Sequence, residues 1–161
     1  MTKAILPALF LVAGLVGCSS APEPATTPAP APKAAAPAPP PNHTSIFPDA
    51  GKVSATVVPN HILDMKSMPG GSLAEYTVKG KSYKMFIIDV DSNQAAAFLL
   101  LDMKGELQKD PEYLANFGGY SGMYGDQPIF CFAKLHYLAG VVGLPKAKAE
   151  PIAVDLAAQL H

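Results

Sequence analysis

The stretch from Ser19 to Asn42 limits what this chain can fold into. Of its 24 residues, 9 are proline and 8 are alanine, and only Glu23 and Lys33 are charged. Proline fixes φ, removes an amide donor and pushes the preceding residue toward extended geometry. Neither helix nor sheet can run through such a block, and it carries too little apolar side chain to offset the entropy of ordering it. It is expected to act as a disordered but semi-rigid, polyproline-like spacer. At about 3.1 Å per residue it reaches on the order of 70 Å when extended. Docking to a proline-binding partner is the alternative, but the repeat is irregular and lacks aromatic or basic flanks. Any core must therefore come from residues 43–161, a length that suits one domain and not two.

The segment before the spacer has its own pattern. Lys3 precedes an apolar run from Ala4 to Val16, 13 residues long. That length fits the apolar part of an export signal and falls short of the roughly 20 residues needed to cross a bilayer. The run closes on Leu15-Val16-Gly17-Cys18. Residues 1–17 with Cys18 resemble a bacterial lipoprotein signal peptide and its lipobox. The resemblance implies cleavage before Cys18, acylation of Cys18 and attachment to a membrane, because two or more acyl chains anchor stably where one does so marginally. In that family Ser19, in place of Asp, implies the outer membrane, with the protein facing the periplasm. The chain then divides into a signal peptide (1–17), a lipidated cysteine with its linker (18–42) and a globular domain (43–161).

Charge excludes some partners for the domain. It carries 10 Lys against 12 Asp and Glu, and the chain has neither Arg nor Trp. Nucleic acid is not expected as a partner, since Lys and Arg neutralise phosphates and Arg reads guanine. With Cys18 acylated, Cys131 is the one remaining cysteine, so an intramolecular disulfide is excluded. Flanked by Phe130 and Phe132, it reads as a small buried hydrophobe.

Periodicity predicts alternating blocks of strand and helix. His61 to Lys66 reads as a short first strand, and Met68-Pro69-Gly70-Gly71 as a turn. Ser72–Val78 and Ser82–Val90 form a hairpin around Lys79-Gly80. Asp91 or Ser92 caps a helix over Ala95–Leu107, with Phe98, Leu101 and Leu100 on its apolar face. Asp110-Pro111 starts a turn or short helix. The glycine-rich run 118–125 is a bulged strand or a loop. Ile129–Lys134 and Tyr137–Leu144 are strands around a tight reversal at Leu135-His136. A last helix covers Ala147 or Pro151 through Gln159, with Ile152, Leu156 and Leu160 four apart. The expected class is α+β: an antiparallel sheet of about five to six strands with two helices packed on one face.

A second likeness is limited. Gly70-Gly71-Ser72, Gln94-Ala95-Ala96-Ala97-Phe98, Phe117-Gly118-Gly119-Tyr120 and Ala139-Gly140-Val141-Val142-Gly143 together resemble some uncharacterised exported bacterial domains. This likeness implies a compact envelope domain and transfers no activity.

Candidate chemistry is sparse. Asp89-Val90-Asp91-Ser92-Asn93 begins like a calcium loop, but Gln94 and Leu100 stand where Gly and Glu are required. No His-Glu-x-x-His or Cys-x-x-Cys occurs, so neither a metal nor another cofactor is expected. Cys131 and His136 are the candidates for a thiol nucleophile and its base, but five positions apart on one strand they face opposite sides unless the chain turns between them. Tyr120, Met123 and Tyr124 are the candidates for a partner-binding groove, because tyrosine is rigid and amphipathic. The leading expectation is a non-enzymatic binding or assembly module that meets an envelope protein or peptidoglycan. The alternatives are an envelope hydrolase or thiol enzyme using Cys131 and His136, and a carrier of a small apolar ligand held between sheet and helices.

Overall fold

The structure, a computed structural model, describes residues 38–161. The signal segment, Cys18 and most of the spacer lie outside the described residues. Seven strands form one sheet: β1 (Lys52–Asn60), β2 (Pro69–Val78), β3 (Lys81–Asp89), β4 (Gln108–Leu114), β5 (Gly119–Tyr124), β6 (Gln127–Lys134) and β7 (Tyr137–Val142). Their order is β1-β2-β3-β7-β6-β5-β4, with every neighbouring pair antiparallel. Helix α1 (Asn93–Glu106) carries the chain from β3 to the far edge strand β4. Helix α2 (Lys146–Gln159) follows β7.

The α+β class and the antiparallel sheet agree with the sequence. Two details differ: the sheet has seven strands where five to six were expected, and the helices cover opposite faces where one shared face was expected. Alternate residues of a strand point to opposite sides. Met85, Ile87, Phe130, Phe132, Ala139 and Val141 pack with Ala149, Ala153 and Leu156 of α2. Phe86, Ile88, Ile129, Cys131, Leu138 and Val142 pack with Leu100 and Met103 of α1. All six residues of β7 are buried. A strand that is apolar on both sides needs cover on both sides.

The two layers are filled differently. On the α2 side, the small Ala149 and Ala153 of the helix meet the large Phe130 and Phe132 of the sheet. On the α1 side, the long Leu100 and Met103 come from the helix. There the sheet offers Gly140, where an added Cβ would lie 2.7 Å from the Phe86 ring and closer still to the Phe130 carbonyl oxygen.

Local signals explain most boundaries. Lys79 (φ 51°) and Gly80 (φ 71°) supply the left-handed pair that a two-residue hairpin needs. Ser92 Oγ accepts from the Ala95 N–H at 3.1 Å and caps α1. The Lys134 ammonium donates to the Ala157 carbonyl near the C-terminus of α2.

Other expectations are corrected. The predicted strand at His61–Lys66 is a tight turn, with His61, Leu63 and Asp64 all at positive φ. It exists to bury Ile62 and Met65, both fully covered. The true first strand is β1. Pro69-Gly70-Gly71 opens β2 and makes no turn. Asp110-Pro111 lies inside β4, at a register shift with Asp110 at φ 30°. The glycine-rich run is a regular strand, β5.

Candidate functional site

The proposed thiol–histidine pair is taken apart by the sheet. Cys131 lies in the middle of β6, paired with Gly140, and its side chain faces α1. It is fully buried, its Sγ donates to the Tyr120 carbonyl at 3.5 Å, and burial pushes the thiol up to about 12. His136 sits in the turn between Lys134 and Tyr137, and its ring lies against Tyr137 with centroids 4.0 Å apart. Tyr137 belongs to the α2 side. The chain does reverse at Leu135, as the sequence suggests, yet the two groups end on opposite faces. A nucleophile needs its base within hydrogen-bond reach.

His136 instead joins a cluster with no local sequence signature. His43 Nε2 donates to Asp89 Oδ2 at 2.8 Å, and His136 Nε2 lies 3.6 Å from Asp89 Oδ1. The His43 ring meets the Tyr137 ring edge-on at 5.4 Å, and the His43 backbone N–H donates to Ser72 Oγ at 2.9 Å. Ser72 is fully buried, and this bond satisfies a polar group that burial would otherwise penalise. The arrangement fastens His43 to the end of β3 and to the β6–β7 turn. Phe47 inserts into the core a few residues later, and the Tyr76 hydroxyl donates to the Pro48 carbonyl at 2.7 Å. An imidazole held by a carboxylate can act as a base, but Cys131 lies across the sheet and the Ser72 hydroxyl is buried. Among the described residues, no group of three or more His, Cys, Asp or Glu is arranged to hold a metal ion.

The aromatic candidates divide. Tyr120 and Tyr124 pack on the α1 side of the sheet. Met123, between them in register, points to the other side, so the three do not line one groove. Tyr120 gains other neighbours. Tyr113 of β4 stands opposite it, with ring centroids 5.5 Å apart, and the Lys104 ammonium lies 5.1 Å from the Tyr120 ring centre. Lys104 is three residues after Leu101, which is three after Phe98, so these side chains climb one flank of α1.

Phe98, Leu101 and Tyr113 are 58%, 53% and 60% exposed. The sequence placed Phe98 and Leu101 on the packed side of α1. The packed residues are Ala96, Leu100 and Met103. Seven consecutive apolar residues, Ala95 to Leu101, make the helix apolar almost all round, and periodicity cannot choose a face in such a run. The result is a strip from Phe98 and Leu101 through Lys104 to Tyr120 and Tyr113. Comparison of the chain with known protein families, with characterised proteins and with solved structures finds no match.

Proposed function

We propose that this chain is a lipid-anchored envelope protein, tethered through Cys18, whose domain is a non-enzymatic binding or assembly module. In this reading the Pro/Ala spacer holds the domain off the outer membrane, in the periplasm, and the strip on the α1 side meets an envelope protein. The observation that carries it is the strip itself. Three large apolar side chains on the α1 side are each more than half exposed: Phe98 and Leu101, three apart on the helix, and Tyr113, which stands against the half-buried Tyr120 under Lys104. Aromatic and apolar anchors of this kind dominate binding energy at protein interfaces, and contiguous exposed patches mark such sites. The buried thiol, held protonated and away from His136, weighs against the enzyme alternative.

Site-specific photocrosslinking in intact cells tests the reading. A photoreactive residue at Phe98 or Tyr113 is expected to give a discrete adduct that one at Asp155 on α2 does not. Leu101→Ser should weaken the adduct. Cys18→Ser should abolish both incorporation of labelled palmitate and the adduct. Equal adducts from both faces, or turnover of a substrate lost on Cys131→Ala, would remove the proposal.

A further inference from the structure

The α2 side carries a different surface, independent of the strip. A half-open cavity of about 290 Å³ lies between the β2–β3 hairpin and the first turns of α2. Val78, Leu144 and Ile152 supply apolar wall, and the Tyr83 ring supplies a flat one. That ring is stacked on buried Tyr76, with centroids 4.9 Å apart and planes 9° from parallel, so the wall is formed before anything binds.

Three lysines line the same cavity: Lys79 and Lys81 at the hairpin turn, and Lys148 from α2. Lys52, Lys84 and Lys146 pair with Asp49, Glu75 and Glu112. Among the described residues, Lys79, Lys81 and Lys148 pair with no carboxylate. Lys81 and Lys148 face the same cavity from opposite elements. Lys81 beside it holds Lys148 below the ordinary lysine value. The first turn of α2 contains no acidic residue, so the partial positive charge of the helix terminus adds to the lysines. Gathering positive charge at the mouth of an apolar cavity disfavours the empty state, and an anion there relieves it.

We infer that this cavity binds a monomeric anionic amphiphile, with a carboxylate or phosphate head among Lys79, Lys81 and Lys148 and an apolar chain against Val78, Tyr83, Leu144 and Ile152. The volume lies at the lower end of ligand pockets, which run from about 300 to 1,000 Å³, so it takes a single short chain and not a whole two-chain lipid. The inference goes beyond the binding-module reading and stands without it, because no residue is shared with the strip.

The test is titration of the full chain carrying Cys18→Ser, which excludes an acyl group of its own, with sodium decanoate followed by calorimetry and amide chemical shifts. Shifts are expected to centre on Val78, Tyr83, Leu144 and Ile152. Decanol and decylammonium should bind at least about tenfold more weakly than decanoate, and Lys81→Glu with Lys148→Glu should weaken decanoate by a similar factor. Val78→Trp, at a partly exposed position on the rim, should block the cavity, and circular dichroism would verify that each variant is folded. The inference fails if decanoate binding survives the double charge reversal in folded protein. It fails equally if decylammonium or inorganic phosphate binds as well as decanoate. Binding confined to phosphatidylglycerol vesicles, with none to free decanoate, would assign the lysines to a membrane surface and overturn it too.

Discussion

The two helices have the same length and cover the same sheet, yet their faces differ in kind. Helix α2 buries Ala149, Ala153 and Leu156 in the layer with Phe130 and Phe132 and leaves Lys148, Asp155 and a single large apolar residue, Val154, outside. Helix α1 turns leucine and methionine inward and leaves Phe98 and Leu101 outside as well. Both helices bury one side in the core; the outer surfaces differ in that α1 exposes two large apolar residues one turn apart, where α2 exposes one. An apolar residue that stability does not require on the inside is available for contact with something else. The comparison also shows how one sheet accepts unlike layers. On the α2 side Ala149 and Ala153 share a layer with Phe130 and Phe132, and on the α1 side Leu100 and Met103 share one with a sheet face that includes Gly140.

The largest expected effect tests the α1 layer. Gly140→Val places a side chain where the Phe86 ring and the Phe130 carbonyl already lie. It should cost more than about 3 kcal/mol and give little folded protein, measured by urea denaturation. A stable Gly140→Val protein would mean that the α1 layer is loosely packed.

Truncations sharpen the comparison. Phe130→Ala on the α2 side should cost about 4 kcal/mol, and Met103→Ala on the α1 side about 3 kcal/mol. Both residues are fully buried, and removing the larger side chain leaves the larger gap. The reverse order would say that the α2 face is the more adaptable one.

A smaller effect concerns pH. Burial raises the Cys131 thiol from 9.0 to about 12, and burial raises the Tyr76 phenol from 10.0 to about 12. Both groups are neutral when protonated, and the unfolded state releases these protons first. Their stability contribution is therefore complete below about pH 9 and is lost as pH rises toward 12. The melting temperature should fall across that window, and Cys131→Ala should flatten the fall. At pH 8 the thiol should react with iodoacetamide only as fast as the protein opens.

The smallest effect belongs to the strip. Phe98→Ser with Leu101→Ser should change stability by no more than about 0.5 kcal/mol. A loss of several kcal/mol would show that these side chains serve the fold, and the distinction between the two outer faces would disappear.

Much of this was legible in local pattern. The β2–β3 hairpin follows from alternation around Lys79-Gly80, the start of α1 from Ser92, and the β6–β7 reversal from the break at Leu135-His136. The nearly continuous apolar runs Met85–Ile88, Ile129–Ala133 and Tyr137–Val142 were a signal that the expectation of one shared helix face passed over, although they do not say what covers each side. Such runs mark strands buried on both faces. The edge strands were harder. β4 carries Asp110-Pro111 at a register shift, and β1 holds a bulge near Val53 and ends at Pro59-Asn60. Proline, bulges and charge are what protect a sheet edge, and in sequence they look like turns.

The sequence by itself determined the α+β class, the hairpins and the helix start. Each of these depends on residues within a few positions of one another, where propensity and turn chemistry decide. Only the tertiary structure decided which flank of α1 is buried, that the helices take opposite faces, that Cys131 and His136 are separated by the sheet, and that His43 meets Asp89 across 46 positions. These are outcomes of packing. An all-round apolar helix has no preferred side until a sheet presents one, and residues far apart in the chain become neighbours only when strand order and register bring them together.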